Sequence, residues 1–262
     1  MAEQWDFFQC TVNGKPASVY LDLGLRASAP DKLRHALLVI WVDLLHPHPA
    51  NGLSTDEEFD TLVAIEDQLA AALKEDLEAV YAGRITTAGR REFYFYSTGA
   101  GDIETPVRAA LARFPGYLSK CRSQADPLWK HYLDVLCPHG ASLRWITNKA
   151  VLEALAARGD QPDQLRPITH FSYFPSASHR AAFMLSVENA GFAIKNLTDT
   201  GRAADVRPFG LVYALAQSAT LTVMADTTGL LTRLSEKHGG EYDGWESPVT
   251  GVAVRPWWRF WR

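Results

Sequence analysis

One order of elements occurs twice in this chain, and that repetition limits the fold more than any single motif does. From residue 37 to 124 the pattern runs strand, helix, strand, strand, helix, strand. Leu37 to Leu45 is a continuous apolar run rich in β-branched residues, which predicts a buried strand. The prolines of His46-Pro47-His48-Pro49 end it. Ser54 and Thr55, each followed three residues later by Glu57 and Glu58, offer two overlapping capping boxes for a helix carrying Phe59, Leu62, Leu69, Leu73 and Leu77. Val80 to Thr86 and Arg91 to Ser97 read as strands around an Ala88-Gly89 turn. Ile103 to Arg113 reads as a short helix and Tyr117 to Arg122 as a strand. From residue 166 to 247 the order recurs. Pro167 to Phe174 is followed by a helix capped by Ser176, strands at Phe192 to Leu197 and Phe209 to Gln217, a helix opened by Thr220, and a final strand from Glu241 to Trp245. Repeated βαββαβ order predicts an α+β protein of two ferredoxin-like units in tandem, each an antiparallel sheet with its helices on one face. Asn13-Gly14 between two apolar runs adds a hairpin before the first unit.

A shift in charge places the boundary. Through Cys137 there are 13 Lys and Arg against 19 Asp and Glu (13 − 19 = −6); from Pro138 onward there are 13 against 11 (13 − 11 = +2), which together account for the net −4 of the chain. The expected domains are therefore 1–137 and 138–262. Leu128 to Leu136 and Asn148 to Arg158 read as helices linking them. A net negative balance supplies no field for generic phosphate binding, so direct nucleic-acid binding is not expected. No apolar run approaches the length of a membrane span. Three cysteines with no CxxC pair and an N-terminus without a leader pattern make the cytoplasm the expected location.

Chemistry-bearing motifs are sparse. The chain contains no GxSxG, P-loop, HExxH or CxxC pattern, and neither a cofactor nor a metal is expected. In Arg91-Glu92-Phe93-Tyr94-Phe95-Tyr96 a period of two puts the phenylalanines towards the helices and Tyr94 and Tyr96 on the opposite, open face. First and last strands are neighbours in a ferredoxin-like sheet. Glu241 to Trp245 should thus lie beside Pro167 to Phe171, with His170 near Tyr242 or Asp243. Such a group can move protons, or it can be a structural hydrogen-bonded pair. The tail Arg255-Pro256-Trp257-Trp258-Arg259-Phe260-Trp261-Arg262 is expected to pack on its own domain or to serve a homo-oligomer.

Two resemblances sharpen this reading. Residues 145–247 resemble the ribonuclease E activity regulator B family through Gly159-Asp160, Arg166-Pro-Ile-Thr-His170-Phe-Ser-Tyr-Phe174, Gly191-Phe192 and Gly239-Gly240-Glu241-Tyr242-Asp243-Gly244-Trp245. The first half is similar to domain-of-unknown-function family 695 through Asn51-Gly52-Leu53, Glu57-Glu58, Ile65-Glu66, Gly83-Arg84-Ile85 and Arg91 to Tyr96. The regulator resemblance implies a non-catalytic protein that acts by contact with ribonuclease E. The known regulator is strongly acidic, whereas the matching half here is net positive. Partner contact is expected at His170, Tyr242, Asp243 and Trp245, with Arg84, Tyr94 and Tyr96 as a second patch. The alternatives are an enzyme of unknown reaction using polar residues on an open sheet face, and an oligomeric scaffold.

Overall fold

The structure is a computed structural model that describes residues 3–99, 101–199 and 206–251. The basic and aromatic tail lies outside the described residues. The chain divides into two compact units, Met1–Ser142 and Leu143–Arg262.

The first unit holds one antiparallel sheet of six strands: β1 (Trp5–Val12), β2 (Lys15–Asp22), β3 (Ala36–Asp43), β4 (Val80–Thr87), β5 (Arg90–Ser97) and β6 (Ser119–Ala125), in the order β1-β2-β4-β5-β3-β6. The four strands β6-β3-β5-β4 have the ferredoxin-like order. The hairpin β1-β2 extends that sheet beyond β4. Asn13 and Gly14 both take positive φ at its turn (51° and 76°), as the Asn-Gly pair requires. Helices α1 (Asp56–Leu77) and α2 (Glu104–Leu111) pack on one face. Leu62, Ile65, Leu69 and Leu73 of α1 meet Leu38, Ile40, Phe93 and Phe95 there.

The start of α1 differs from the capping-box expectation. Thr55 is the N-cap, but its side chain makes no cap hydrogen bond; its hydroxyl donates to the His46 carbonyl instead. Glu58 does not turn back to the helix start. Its carboxylate accepts from the backbone N–H groups of Leu45 (2.7 Å) and His46 (3.2 Å), two donors stranded where β3 leaves the sheet.

The opposite face of this sheet is not open. A single π-helical turn at His131–Leu136, with the residues before it, lies across it. Trp129 and Tyr132 are almost completely buried there, with Leu37, Val39, Val19 and Leu21 among the fully buried side chains of the sheet. Each large side chain so buried contributes roughly 1.5–3 kcal/mol. Trp129 stacks on Tyr96 at 3.9 Å between centroids, and its indole N–H donates to the Arg34 carbonyl at 2.6 Å. These contacts hold Trp129 at φ 52°, a region that bulky side chains rarely enter. Gly83 has the same freedom for a different reason. It sits in a bulge at φ 150°, and a Cβ there would come within 2.5 Å of the Tyr20 carbonyl oxygen.

The second unit contains a four-stranded antiparallel sheet, β7 (Arg166–Phe174), β8 (Ala193–Asp199), β9 (Phe209–Gln217) and β10 (Glu241–Glu246), in the order β10-β7-β9-β8. This is again the ferredoxin-like order. Helices α4 (Ala177–Asn189) and α5 (Leu221–Lys237) bring Phe183, Val187 and Leu231 against Phe174, Leu211 and Tyr213. Ser176 caps α4 by accepting from the His179 N–H, as its position predicts. Helix α3 (Gly140–Ala156) precedes β7 and is longer than the 148–158 read from the sequence.

Candidate functional site

In the second unit β10 lies beside β7 as expected, but it pairs with residues 169–173 rather than 167–171, with Trp245 opposite His170 and Tyr242 opposite Ser172. A bulge between Tyr242 and Gly244 absorbs Asp243 and turns it to solvent. Residues directly opposite share a face, so Tyr242 and Trp245 point with His170 towards the helices. The His170 Nδ1 and the Tyr242 hydroxyl are 2.9 Å apart. The Trp245 indole N–H donates to Asn148 Oδ1 on α3 (2.8 Å), and the Asn148 amide donates to the Thr228 hydroxyl on α5 (2.9 Å). Tyr242 and Trp245 therefore pin the last strand to β7, α3 and α5.

His170 is completely buried, with Tyr213, Phe192 and Tyr242 around its ring, and its Nε2 has no hydrogen-bond partner among the described residues. Desolvation lowers its pKa to about 4, and burial pushes the Tyr242 phenol far above its usual range. Asp243 does not join this pair. Desolvation accounts for the shift of the imidazole, whereas the Asp243 charge acts on the Tyr242 phenol and adds to its rise.

The depressed pKa has a consequence for stability. The unfolded imidazole binds a proton below about pH 6.5 and the folded one only below about pH 4. Between those values the unfolded state holds more protons, so stability falls as the pH falls. The full window amounts to about 3 kcal/mol. The difference in unfolding free energy between the protein and a His170→Phe variant should change by that order between pH 7 and pH 4.5, as read by urea titration. A pH-independent difference would contradict the buried neutral state.

In the first unit Tyr94 and Tyr96 do lie on the face away from the helices, but they are 2% and 0% exposed. Tyr96 donates to Asp126 (2.7 Å), accepts from the Tyr132 N–H (3.1 Å) and stacks on Trp129; Tyr94 packs on His131 and donates to Glu92. Side chains this deep present no surface to a partner. They fasten the segment at 126–137 to the sheet. His170 is buried to the same degree. Of the seven residues expected at partner contacts, Asp243 alone is exposed.

Arg84 has a different setting. It is opposite Phe93 and hence on the helix face, where it forms an ion pair with Glu66 of α1 and lies 4.4 Å above the Tyr20 ring. Glu66 also accepts from the Tyr81 hydroxyl (3.1 Å), and Arg91 Nη1 is 3.9 Å from it. Arg91 is 2% exposed. Its Nε donates to Thr86 and its Nη2 to Ser54, while Nη1 has no hydrogen-bond partner among the described residues. Burial, together with the repulsion of Arg84, lowers the Arg91 pKa to about 10. Glu66 and Arg91 escaped sequence reasoning as site residues, although a signal was present. Glu66 falls in the apolar stripe of α1, four residues after Leu62 and three before Leu69. A carboxylate at a core position requires a buried cation.

Next to this cluster is a cleft of about 710 Å³ between α1 and the hairpin, walled by Trp5, Tyr20 and Tyr81 and including Glu66. It exists because the hairpin widens the sheet. Two helices of roughly 10 Å each cover about four strands spaced roughly 4.8 Å apart, and this sheet has six. Among the described residues no group of three or more His, Cys, Asp or Glu is placed to hold a metal ion. No helix among them is long and apolar enough to cross a membrane.

Comparison with known proteins follows the division into two units. Residues 145–247 match the model of the family described as regulator of ribonuclease activity B, and residues 3–137 match a family of unknown function, DUF695. No curated protein matches. A solved structure described as an unknown protein from Galdieria sulphuraria is 16% identical, covering 82% of this chain and 99% of its own length at a TM-score of 0.24, a likeness too low to carry an argument. The DUF695 match spans more than half of the chain and takes in Glu58, Glu66, Arg84 and Arg91: this protein belongs to that family, with a C-terminal unit similar to the ribonuclease regulators.

Proposed function

We propose that the protein is a non-catalytic regulator that works by binding a ribonuclease of the ribonuclease E type in the cytoplasm. The observation that carries this reading is the match of residues 145–247 to the regulator family, which spans a complete ferredoxin-like unit from α3 to β10. The contact surface we assign is the helix-free face of that unit. Phe171 and Tyr173 of β7 alternate with the buried His170, Ser172 and Phe174, so they stand half-buried on this face. Asp243 projects from the bulge in the neighbouring edge strand β10. An aromatic centre beside an exposed charge is the usual composition of an interface anchor.

The test is capture of purified ribonuclease E on the immobilised full chain, together with cleavage of a model RNA with and without the protein. Binding that is weakened by Tyr173→Ala and by Asp243→Arg, with inhibition or stimulation of cleavage changed in parallel, supports the reading. No capture above background removes the ribonuclease. Capture indifferent to both substitutions moves the contact elsewhere.

A further inference from the structure

We propose that the cleft in the first unit is a docking site for an arginine side chain presented by a partner protein. The proposal is independent of the ribonuclease reading, since it concerns the other unit and a different surface. Its starting point is a guanidinium that the protein already holds there. Arg84 lies over the Tyr20 ring at 4.4 Å and pairs with the Glu66 carboxylate. An aromatic face with a carboxylate beside it is how this part of the molecule binds a planar cation.

The cleft repeats those elements next to the occupied pair. Trp5 stacks on Tyr20 at 4.9 Å and lies 5.2 Å from Tyr81, which makes a three-ring wall. Glu3 and Asp67, both exposed, stand among the lining residues. Glu3 accepts from the Trp5 indole N–H at 2.9 Å, which places a carboxylate at the edge of the ring. Counting Asp22 and Glu66, four lining carboxylates stand against the single amine of Lys74. Asp22 and Glu66 are already satisfied: Asp22 accepts from Gln4 and Gly24, and Glu66 from Arg84 and Tyr81. Asp67 is left to meet an incoming cation, together with the Glu3 oxygen that the Trp5 indole N–H does not use.

Shape points the same way. The α1 wall is low, because Ala70 and Ala71 follow Asp67. Among the described residues no helix lies above the hairpin floor, and Phe7 on the same face as Trp5 and Tyr20 is 43% exposed. A long side chain with an apolar stem and a planar charged head fits a trough of small residues that ends in aromatic rings and carboxylates. Arginine is favoured over lysine because a guanidinium is the cation that the neighbouring ring and carboxylate already hold, in Arg84 over Tyr20 beside Glu66. A negative rim of this kind disfavours phosphate, so a nucleic-acid occupant is not the one proposed.

The experiment titrates the ¹⁵N-labelled full chain with N-acetyl-arginine amide and follows the Trp5 indole N–H resonance, assigned by its loss in a Trp5→Phe variant. The neutral isostere N-acetyl-citrulline amide is the control. The expected result is a saturable shift with the arginine probe, at least about fivefold weaker for citrulline and about fivefold weaker in Asp67→Asn. Asp67 is exposed, so that variant should keep its fold, which circular dichroism checks. Raising the salt concentration should weaken the arginine response. Equal responses to arginine and citrulline, an unchanged affinity in Asp67→Asn, or no saturable shift into the tens of millimolar would each overturn the proposal.

Discussion

Replacing Glu66 with alanine should cost the first unit about 3–5 kcal/mol, the range for removing one partner of a buried charge pair. Glu66 is the only carboxylate that pairs with both Arg84 and Arg91 among the described ion pairs. The Arg84 side chain is 15% exposed and that of Arg91 only 2%, so neither guanidinium can turn freely to water once Glu66 is gone. Arg91 already carries one nitrogen without a hydrogen-bond partner among the described residues. Hydrogen exchange of α1 and β4 amides in the full chain reads the effect without requiring the two units to unfold together. The double variant Glu66→Ala/Arg84→Ala should recover part of the loss, because it leaves one fewer uncompensated charge. A loss below about 1 kcal/mol, the level of an exposed pair, would mean that water reaches the cluster.

The second large effect is expected at Arg166, the first residue of β7. Its guanidinium donates to Asp160 Oδ2 (2.6 Å), Ser247 Oγ (2.8 Å), Thr250 Oγ1 (2.9 Å) and the Gln161 carbonyl (2.9 Å). Both side chains of the Asp160–Arg166 pair are 2% exposed. Burial alone would raise the Asp160 carboxyl, but the hydrogen bonds from Thr250 and the charge of Arg166 outweigh it, and its pKa is lowered. One side chain thus ties the loop after α3 to the segment beyond β10. Arg166→Ala should cost about 3–5 kcal/mol and leave a buried, unpaired carboxylate. Arg166→Lys should recover little of it, since a single ammonium cannot span four acceptors arranged around a planar fork. Exchange of amides at 161–167 and 247–251 measures both. A lysine variant as protected as the parent would show that charge alone suffices there.

Asp160 and Arg166 also show where sequence reading stops. Both appear among the residues that mark the regulator resemblance, yet nothing in their spacing says that they are partners or that Thr250, far along the chain, completes the group. The strand order is different. Alternating burial and turn residues set strands and helices, and right-handed crossovers leave few ways to assemble a βαββαβ unit, so the adjacency of His170 and Tyr242 follows from local pattern. Whether that pair is a working site or a structural one does not follow. It depends on the bulge that ejects Asp243, and a one-residue bulge has no signature in Tyr242-Asp243-Gly244-Trp245 beyond its glycine.

The faces of the first sheet make the same point. Period-two alternation assigns Phe93 and Phe95 to one side and Tyr94 and Tyr96 to the other, and both assignments hold. Alternation cannot tell what lies above a face. The segment at 126–137 has the length and composition of a linker, and only its return across the sheet turns the tyrosines into a second core. The cleft likewise arises from a mismatch between six strands and two helices, which is a property of layers and not of any one stretch. By itself, then, the sequence determined the elements, their order and the inward or outward sense of each strand residue, because these depend on local periodicity and chain chirality. The tertiary structure decided which charges are buried together, which face is covered and where a cleft remains, because burial is a sum over segments far apart in the chain.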